Sequence, residues 1–496
     1  MTNLRLTTIP NEIWIEIFSY ICCSLRGGLY VSKNYIRVGP YTLSHVCRGW
    51  REITLTTPLL WSSIYLELYV HHQKDICLLL EAYLKLSAGV GLQVCIKDRP
   101  FEPGAEPEAL LSLIMQHLPR FRLFRLTIAR FQRLWKTPNN PTGPLESTAS
   151  KMCNLVTLDI VPVQAYTLNI SGMIEALWRA PAVKRIRCSA DTFNRHDLFL
   201  LRTIESLAIT YLDANFGHDS GFFSGLEKMR NLRSLYLTLR GINGPSQTII
   251  PELASSSLER LRVEIYGASS MYHPWLETLT LPSLVTMDLV ARDGMPHSLL
   301  RSLPQLQSVR HFSLSAGNLN PGSIVYLLRS LPNLEACRIV ETSTPHWKVQ
   351  SETCSEAFLT ELTSYTFGIS PRVFLPNLKS LYIREITPPL SHYHKVAMEL
   401  LLTTLEASST RRLTEVRLVF DETSAMVDRA ISLRGSRLST LTLPRNLSAR
   451  LKALEGKGTK CGVFRYDDEW RWMRVFGLLE HEDTRWDFKE FEEDKG

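Results

Sequence analysis

From Leu123 onward, one short arrangement of apolar and polar positions returns along most of the chain: apolar-x-x-apolar-x-apolar. It reads Leu155, Leu158 and Ile160 in NLVTLDI. It comes back as AVKRIRC, TIESLAI, NLRSLYL, SLERLRV, SLVTMDL, SVRHFSL, NLEACRI, NLKSLYI, RLTEVRL and RLSTLTL. The first apolar positions fall at 123, 155, 183, 204, 232, 258, 284, 309, 334, 378, 413 and 438. Most gaps run from 21 to 32 residues, with longer ones of 44 and 35 before 378 and 413. The alternation that closes each unit predicts a short strand with one buried face. Between these strands, EALLSLIMQHLPRF, ISGMIEALWRAPAV, HSLLRSLPQL and GSIVYLLRSLPNL read as helices ended by Leu-Pro or Ala-Pro. In the last of them Ile324, Leu327, Leu328 and Leu331 follow i, i+3, i+4, i+7, and a proline beyond that face cannot continue the helix.

A single strand–helix unit cannot bury its apolar face alone, whereas stacked units share a continuous core. Strand and helix alternating at about 25 residues resembles the leucine-rich repeats. The resemblance implies an α/β solenoid: a curved parallel sheet with helices on the convex side. The consensus asparagine after the strand is mostly missing and the unit lengths vary, so the array is a degenerate one. A doubly wound sheet would call for glycine-rich turns after the early strands, and none is visible.

The first 66 residues are patterned differently. IPNEIWIEIFSYI places Ile13, Ile17, Phe18 and Ile21 on one helical face with Trp14 beside it. Pro10 suits a helix start, and Glu12 complements the dipole there. Leu43, Val46, Cys47, Trp50 and Ile53 repeat the i, i+3, i+4, i+7 spacing, which predicts a second helix. Gly49 within that helix would cost about 1 kcal/mol relative to alanine. TTPLLW ends the helix at Pro58 and brings Trp61 onto the bundle. Such a three-helix unit holds more apolar side chains than so small an interior can hide, and a partner surface would absorb the surplus.

IPNEIWIEIFSYI followed by LSHVCRGWREITLTTPLLWSSI resembles the F-box, and the Val-Cys-Arg-x-Trp and Thr-Pro-x-Leu-Trp pairing resembles its large fungal branch. The resemblance implies a fold class of a short N-terminal three-helix F-box followed by the solenoid. The expected boundaries are 4–66 for the F-box-like module and 67–120 for a linker and N-terminal cap. Residues 121–445 would form the degenerate leucine-rich repeats, and 446–496 a C-terminal cap with an acidic, Trp-containing tail. It further implies a Skp1-like adaptor as partner, and through it a cullin, with Ile9, Pro10, Ile13, Ile17, Leu43, Val46, Cys47 and Trp50 as the contact set. Leu55 and Trp61 would complete the module's own fold. The usual leading leucine is Ile9 here. CCSLRGGLYVSKNYIRVGP makes the first interhelical connection about ten residues longer than the common form. That loop either perturbs adaptor affinity or bulges away from the interface.

In a leucine-rich repeat the positions flanking the second apolar residue of each strand point to the concave surface. Here they give Arg125, Arg185, Arg187, Arg260, Arg262, Arg338 and Arg417, with Tyr236, Tyr382 and His311 among them and Asp159, Asp288 and Glu415 breaking the pattern. Arginine and tyrosine favour interface hot spots, and the guanidinium fork matches carboxylate or phosphate oxygens. The expected cargo is therefore an acidic or phosphorylated protein segment.

Composition narrows this further. The chain of 496 residues is 45% hydrophobic and 21% charged, a folding composition. Its net charge of +7 is too diffuse for a dedicated nucleic-acid binder, so no nucleic-acid partner is expected. Tyr466 to Gly496 carries eleven acidic and five basic residues, a net of −6 that leaves +13 on the preceding chain. Such a tail would dock on the body, where it would compete with cargo, or serve as a separate interaction segment. The ten cysteines include no Cys-x-x-Cys. Most of them, such as Cys47, Cys77, Cys95, Cys188 and Cys337, stand at apolar positions and read as buried, reduced thiols acting as small hydrophobes, which points to the cytoplasm or nucleus. No apolar run is long enough to cross a membrane, and no membrane partner is expected.

Phosphate-loop, dinucleotide and HExxH motifs are missing, and the serine in GHDSG is one place off a nucleophile elbow. His71-His72 and His392/His394 have no metal-ligand spacing, so neither a cofactor nor a metal is expected. The sequence thus reads as a non-catalytic substrate receptor of a ubiquitin ligase. The alternative is a leucine-rich interaction scaffold outside ubiquitination, whose F-box-like segment only caps the solenoid.

Overall fold

The structure is a computed structural model that describes residues 9–24, 27–32, 35–68, 73–98, 110, 113–114, 116–128, 152–162, 180–189, 203–213, 226, 229–240, 255, 257–266, 280–291, 306–317, 319–341, 354–364, 374–386, 399–400, 402–403, 413–421, 449–450, 453 and 460–465. Two compact units divide the chain. The first comprises Met1–Leu212 with Asp219–Leu237, and the second Asp213–His218 with Thr238–Gly496.

The first unit opens with α1 (Asn11–Cys22), β1 (Leu29–Val31), β2 (Ile36–Val38), α2 (Gly39–Ser44) and α3 (Arg48–Thr56). A 3-10 turn at Pro58–Trp61 leads into β3 (Ser63–Leu68), α4 (Gln73–Leu86) and β4 (Leu92–Asp98). There follow β5 (Phe121–Ile128), β6 (Thr157–Pro162), β7 (Arg185–Ser189), β8 (Ser206–Asp213) and β9 (Ser234–Arg240), within which the division falls. Strands β3 to β8 pair each with the next in parallel. The second unit carries β10 (Arg260–Tyr266), β11 (Thr286–Ala291), β12 (His311–Ala316), α5 (Pro321–Arg329), β13 (Ala336–Glu341), α6 (Cys354–Ser364), β14 (Ser380–Ile386), β15 (Glu415–Asp421) and β16 (Lys460–Arg465). Its strands also pair in parallel and in chain order. Each unit is therefore mixed α/β, with a long open sheet and few helices among the described residues, an arrangement consistent with a solenoid-like repeat.

The register explains why the pattern recurs. Met287, Phe312, Cys337, Leu381 and Val416 stand opposite one another, and so do Leu289, Leu314, Ile339, Ile383 and Leu418. The first apolar residue of each unit lies two positions before its strand and is buried, as at Leu155, Val183, Leu232, Leu284, Leu334 and Leu378. Every repeat thus adds three apolar side chains to a core that its neighbour continues, at roughly 1.5–3 kcal/mol for each fully buried one.

Three expectations need correction. The unit placed at Leu123 starts at Phe121, because Phe124 faces Leu158 and Leu126 faces Ile160 across the ladder. Phe121, Phe124 and Leu126 are buried, and Leu123 packs on the other face of the sheet. Parallel pairing of consecutive strands runs from β3 to β4, so residues 67–120, read as linker and cap, already contribute α4 and the regular strand β4. KCGVFR was read as part of the C-terminal cap, yet it forms β16, whose Cys461 and Val463 stand opposite Val416 and Leu418. The unit at 438 and the tail after Tyr466 lie outside the described residues.

Of the predicted helices, GSIVYLLRSL is described in full. Asn320 caps α5 by accepting from Ser323 N at 3.1 Å, Pro321 stands at its start, and Ile324, Leu327, Leu328 and Leu331 are buried. The other three lie wholly or partly outside the described residues. Asparagine does bridge neighbouring turns, but from in front of the strand. Asn154 Nδ2 donates to Pro119 O at 2.9 Å and Asn333 Nδ2 to Gln307 O at 2.7 Å.

Candidate docking site and sheet face

Helix α1 has two faces. Inward, Phe18 and Cys22 are fully buried, and Trp14 joins them. The Trp50 ring closes this cluster, 4.9 Å from Trp14 and edge-on to Phe18 at 4.8 Å. Outward, Ile9, Pro10, Ile13, Ile17, Tyr20 and Ile21 lie exposed, with Ile13 at 46%, Ile17 at 42% and Tyr20 at 90%. Val46 is 59% exposed on the neighbouring turn, and Leu43 is half-buried. An isoleucine row at i, i+4 and i+8 left in solvent is the arrangement of a helix that meets another protein.

The second predicted helix is in fact two. Cys47 is extended, with φ −157° and ψ 170°, and its exposed Sγ accepts from Trp50 N at 3.4 Å, capping α3. Arg51 Nε donates to Ser44 O at 3.0 Å and secures the end of α2. Apolar spacing could not reveal this break, since the pattern continues on both sides of the one extended residue. Gly49 consequently sits in the first turn of α3, with open space around the position of a β-carbon. Cys47 is a cap and not a buried small hydrophobe. Trp50, assigned to the contact set, is packed between α1 and α3. Leu55, assigned to the module's fold, is 49% exposed. Trp61 is buried, and its Nε1 donates to Thr54 O at 2.8 Å.

The long connection after α1 is built into the sheet. Strands β1 and β2 form an antiparallel pair, and β1 then joins β3 in parallel, Leu29 opposite Ile64 and Val31 opposite Leu66. All four of those side chains are buried. Gly28 has to be glycine because an added β-carbon would overlap Ser63 O and the Tyr83 hydroxyl. Tyr83 Oη on α4 accepts from Leu29 N at 3.1 Å and donates to Leu60 O at 3.3 Å. Burial and the nearby Cys22 raise the pKa of this hydroxyl far above the ordinary tyrosine range, so it stays a donor. On the opposite face Tyr30 stacks on Tyr65 at 4.5 Å and on Tyr35 at 5.3 Å. Tyr30 and Tyr35 escaped sequence reading because they stand in a segment that the resemblance treats as loop.

The predicted cargo residues divide between the units. Arg125, Arg185, Arg187 and Tyr236 belong to the first, and Arg260, Arg262, His311, Arg338, Tyr382 and Arg417 to the second. Arg185, Arg260 and His311 are exposed, while Arg187 and Tyr236 are half-buried. Arg417 stands opposite Tyr382 in the register, its side chain outside the described set. Two of the acids taken to interrupt a basic stripe, Asp159 and Asp288, are instead partners within it. Arg125 Nε meets Asp159 Oδ2 at 2.7 Å, where Asp159 is 2% exposed and stands opposite both Arg125 and Arg187. Arg262 Nε lies 3.4 Å from Asp288, and the Arg338 guanidinium sits over the Tyr382 ring at 5.3 Å. Arg125 in the first unit and Arg262 in the second are thus each paired with a carboxylate across the ladder. Further ion pairs, absent from the sequence reading, stand at the strand entrances: Lys184–Glu205 in the first unit and Arg310–Glu335–Lys379 in the second. Hydrogen bonds from Lys184 and Lys379 hold Glu205 and Glu335 below the usual carboxylate range.

Among the described residues no group of three or more His, Cys, Asp or Glu side chains is placed to hold a metal ion, and no helix is long and apolar enough to cross a membrane. GHDSG, His71-His72 and His392/His394 lie outside the described residues.

Compared with known families, residues 6–67 match the F-box-like family, which supports an F-box protein. The match ends within β3. No curated protein matches the chain.

Proposed function

We propose that this chain is a substrate-receptor subunit of a cullin-RING ubiquitin ligase. Its N-terminal module docks on a Skp1-like adaptor, and its leucine-rich-repeat sheet holds a protein for ubiquitination. The chain itself makes and breaks no bond; it contributes proximity and orientation. The observation that carries this reading is the exposed row Ile9, Ile13, Ile17 with Val46, inside the segment that matches the F-box-like family. Such a row costs solubility unless a partner covers it.

Co-purification with a Skp1-like protein tests the docking half. Ile13→Asp with Val46→Asp changes only solvent-facing side chains, so the fold should persist while capture drops at least a hundredfold. Undiminished capture would overturn the proposal. Trp50→Ala is a poor probe, because it would empty the aromatic cluster. A second reading, a scaffold whose F-box-like segment merely caps the sheet, is favoured by the β1–β3 pairing. Capping uses the hairpin and docking uses the outer face of α1, so the same double variant separates the two.

A further inference from the structure

The insert between α1 and α2 exceeds what covering a sheet edge requires. Its first strand is held on both faces and at both ends. On the core side Leu29 and Val31 are buried against Ile64 and Leu66. On the other side Tyr30 lies flat on Tyr65, its ring inclined by 9°. Before the strand, Ser63 Oγ donates to Ser24 O at 2.8 Å, and after the hairpin Gly39 N donates back to Gly28 O at 3.1 Å. Gly39 and Gly27 approach so closely that a β-carbon on Gly39 would overlap Gly27 O. Tyr83 ties α4 to two further elements, β1 and the 3-10 turn, through one hydroxyl. Its ring meets Trp61 edge-on at 5.3 Å, and Trp61 in turn bonds to the end of α3.

We infer that residues 27–32 and 35–38, which carry β1 and β2, are a clamp, with Tyr83 as its latch, that locks the helical docking module to the first strands of the repeat sheet so that the two move as one body. A plain tether between helix and sheet would allow the module to swing. Here rotation requires breaking the β1–β3 ladder, the tyrosine stack and both bonds of the Tyr83 hydroxyl together. Under the proposed function, on which this consequence rests, the clamp fixes the direction in which the sheet presents its cargo relative to the adaptor.

Two measurements on the full chain test the clamp. Spin labels carried by bioorthogonal amino acids at Tyr20 and Lys184, both exposed and both in the first unit, report the distance between module and sheet. A narrow distribution is expected for the native sequence, and one several ångströms broader when residues 27–38 become a Gly/Ser linker of equal length. A distribution equally narrow after replacement, or broad before it, would overturn the clamp.

Hydrogen exchange serves where the replacement does not fold. The peptide carrying Leu29 should be protected as strongly as that carrying β3, and Tyr83→Phe, which removes the acceptor of Leu29 N, should speed its exchange about fivefold. Rapid exchange in the native chain, or none of that acceleration, would also overturn the inference. Neither measurement needs the adaptor, so a failure to capture a Skp1-like protein counts against the proposed function alone.

Discussion

Removing the carboxylate of Asp159 should damage the first unit more than any change at an exposed charge. Asp159 is 2% exposed, and its Oδ2 lies 2.7 Å from Arg125 Nε, with the Arg125 side chain only 14% exposed. At an effective dielectric near 20 the gross attraction at that distance is roughly 6 kcal/mol. Burying the two ions offsets most of it, so the intact pair is worth far less than this figure. Removing one member alone is costly, about 3–5 kcal/mol, because the other remains buried and uncompensated. Asp159→Leu should be worse than Arg125→Met, since Arg187 stands on the other side of Asp159 in the ladder and also loses its neighbour.

The double variant Arg125→Met, Asp159→Leu should recover most of the loss, as apolar side chains replace the pair. Urea denaturation of the four proteins, followed through hydrogen exchange of β5 to β7, gives the cycle. Additive single effects, or a loss under about 0.5 kcal/mol for Asp159→Leu, would refute the buried-pair account. Asp159→Asn should also tighten binding of acidic peptides if the sheet face reads them, because it releases Arg125 from its intramolecular partner.

Gly49→Ala should stabilise the docking module by about 0.4–1 kcal/mol, since the β-carbon meets nothing within 4 Å; a thermal melt that moves downward would contradict the first-turn placement. Ala88, just beyond α4, has φ 45°, so Ala88→Gly should relieve about 1 kcal/mol of left-handed strain, read as a rise in denaturation midpoint. Burial pushes the Cys22 and Cys337 thiols up to about 12 and raises Cys188 as well, whereas Cys47 and Cys153 are exposed. Alkylation mapped by mass spectrometry should mark Cys47 and Cys153 at pH 8 and spare Cys22 and Cys337 even at pH 9, because their thiolates form only near the raised values. For Glu205 and Glu335, with depressed pKa, the ion-pair contribution holds above the ordinary carboxylate pKa of about 4.3. It fades as pH falls below that value, so Lys184→Met should flatten the acid limb of the stability curve.

The repeating strands were legible because a buried strand face leaves its mark at fixed spacing. Leu155, Leu158 and Ile160 can be read without knowing what lies beside them. The two faces of α1 could not: helical spacing groups Phe18 with Ile13, Ile17 and Ile21, yet Phe18 is buried and the three isoleucines are exposed. Register was not legible at β5: FRLFRL carries two overlapping apolar triplets, and only the opposition of Phe124 to Leu158 selects one. The break at Cys47 escaped for a related reason, since a single extended residue between two short helices leaves the apolar period intact.

What the chain's own residues determined is which faces are apolar, where strands recur and which segment resembles a docking module. Those properties are local, set by side chains a few positions apart. Tertiary structure alone decided which charges meet, because Arg125 and Asp159 are 34 residues apart in sequence and 2.7 Å apart across the ladder. It also turned the unusual loop into the clamp, since the short β1–β2 pair joins the sheet only when β3 is laid beside β1. A three-residue strand has too few contacts to declare itself locally, and its stability comes from the sheet it joins.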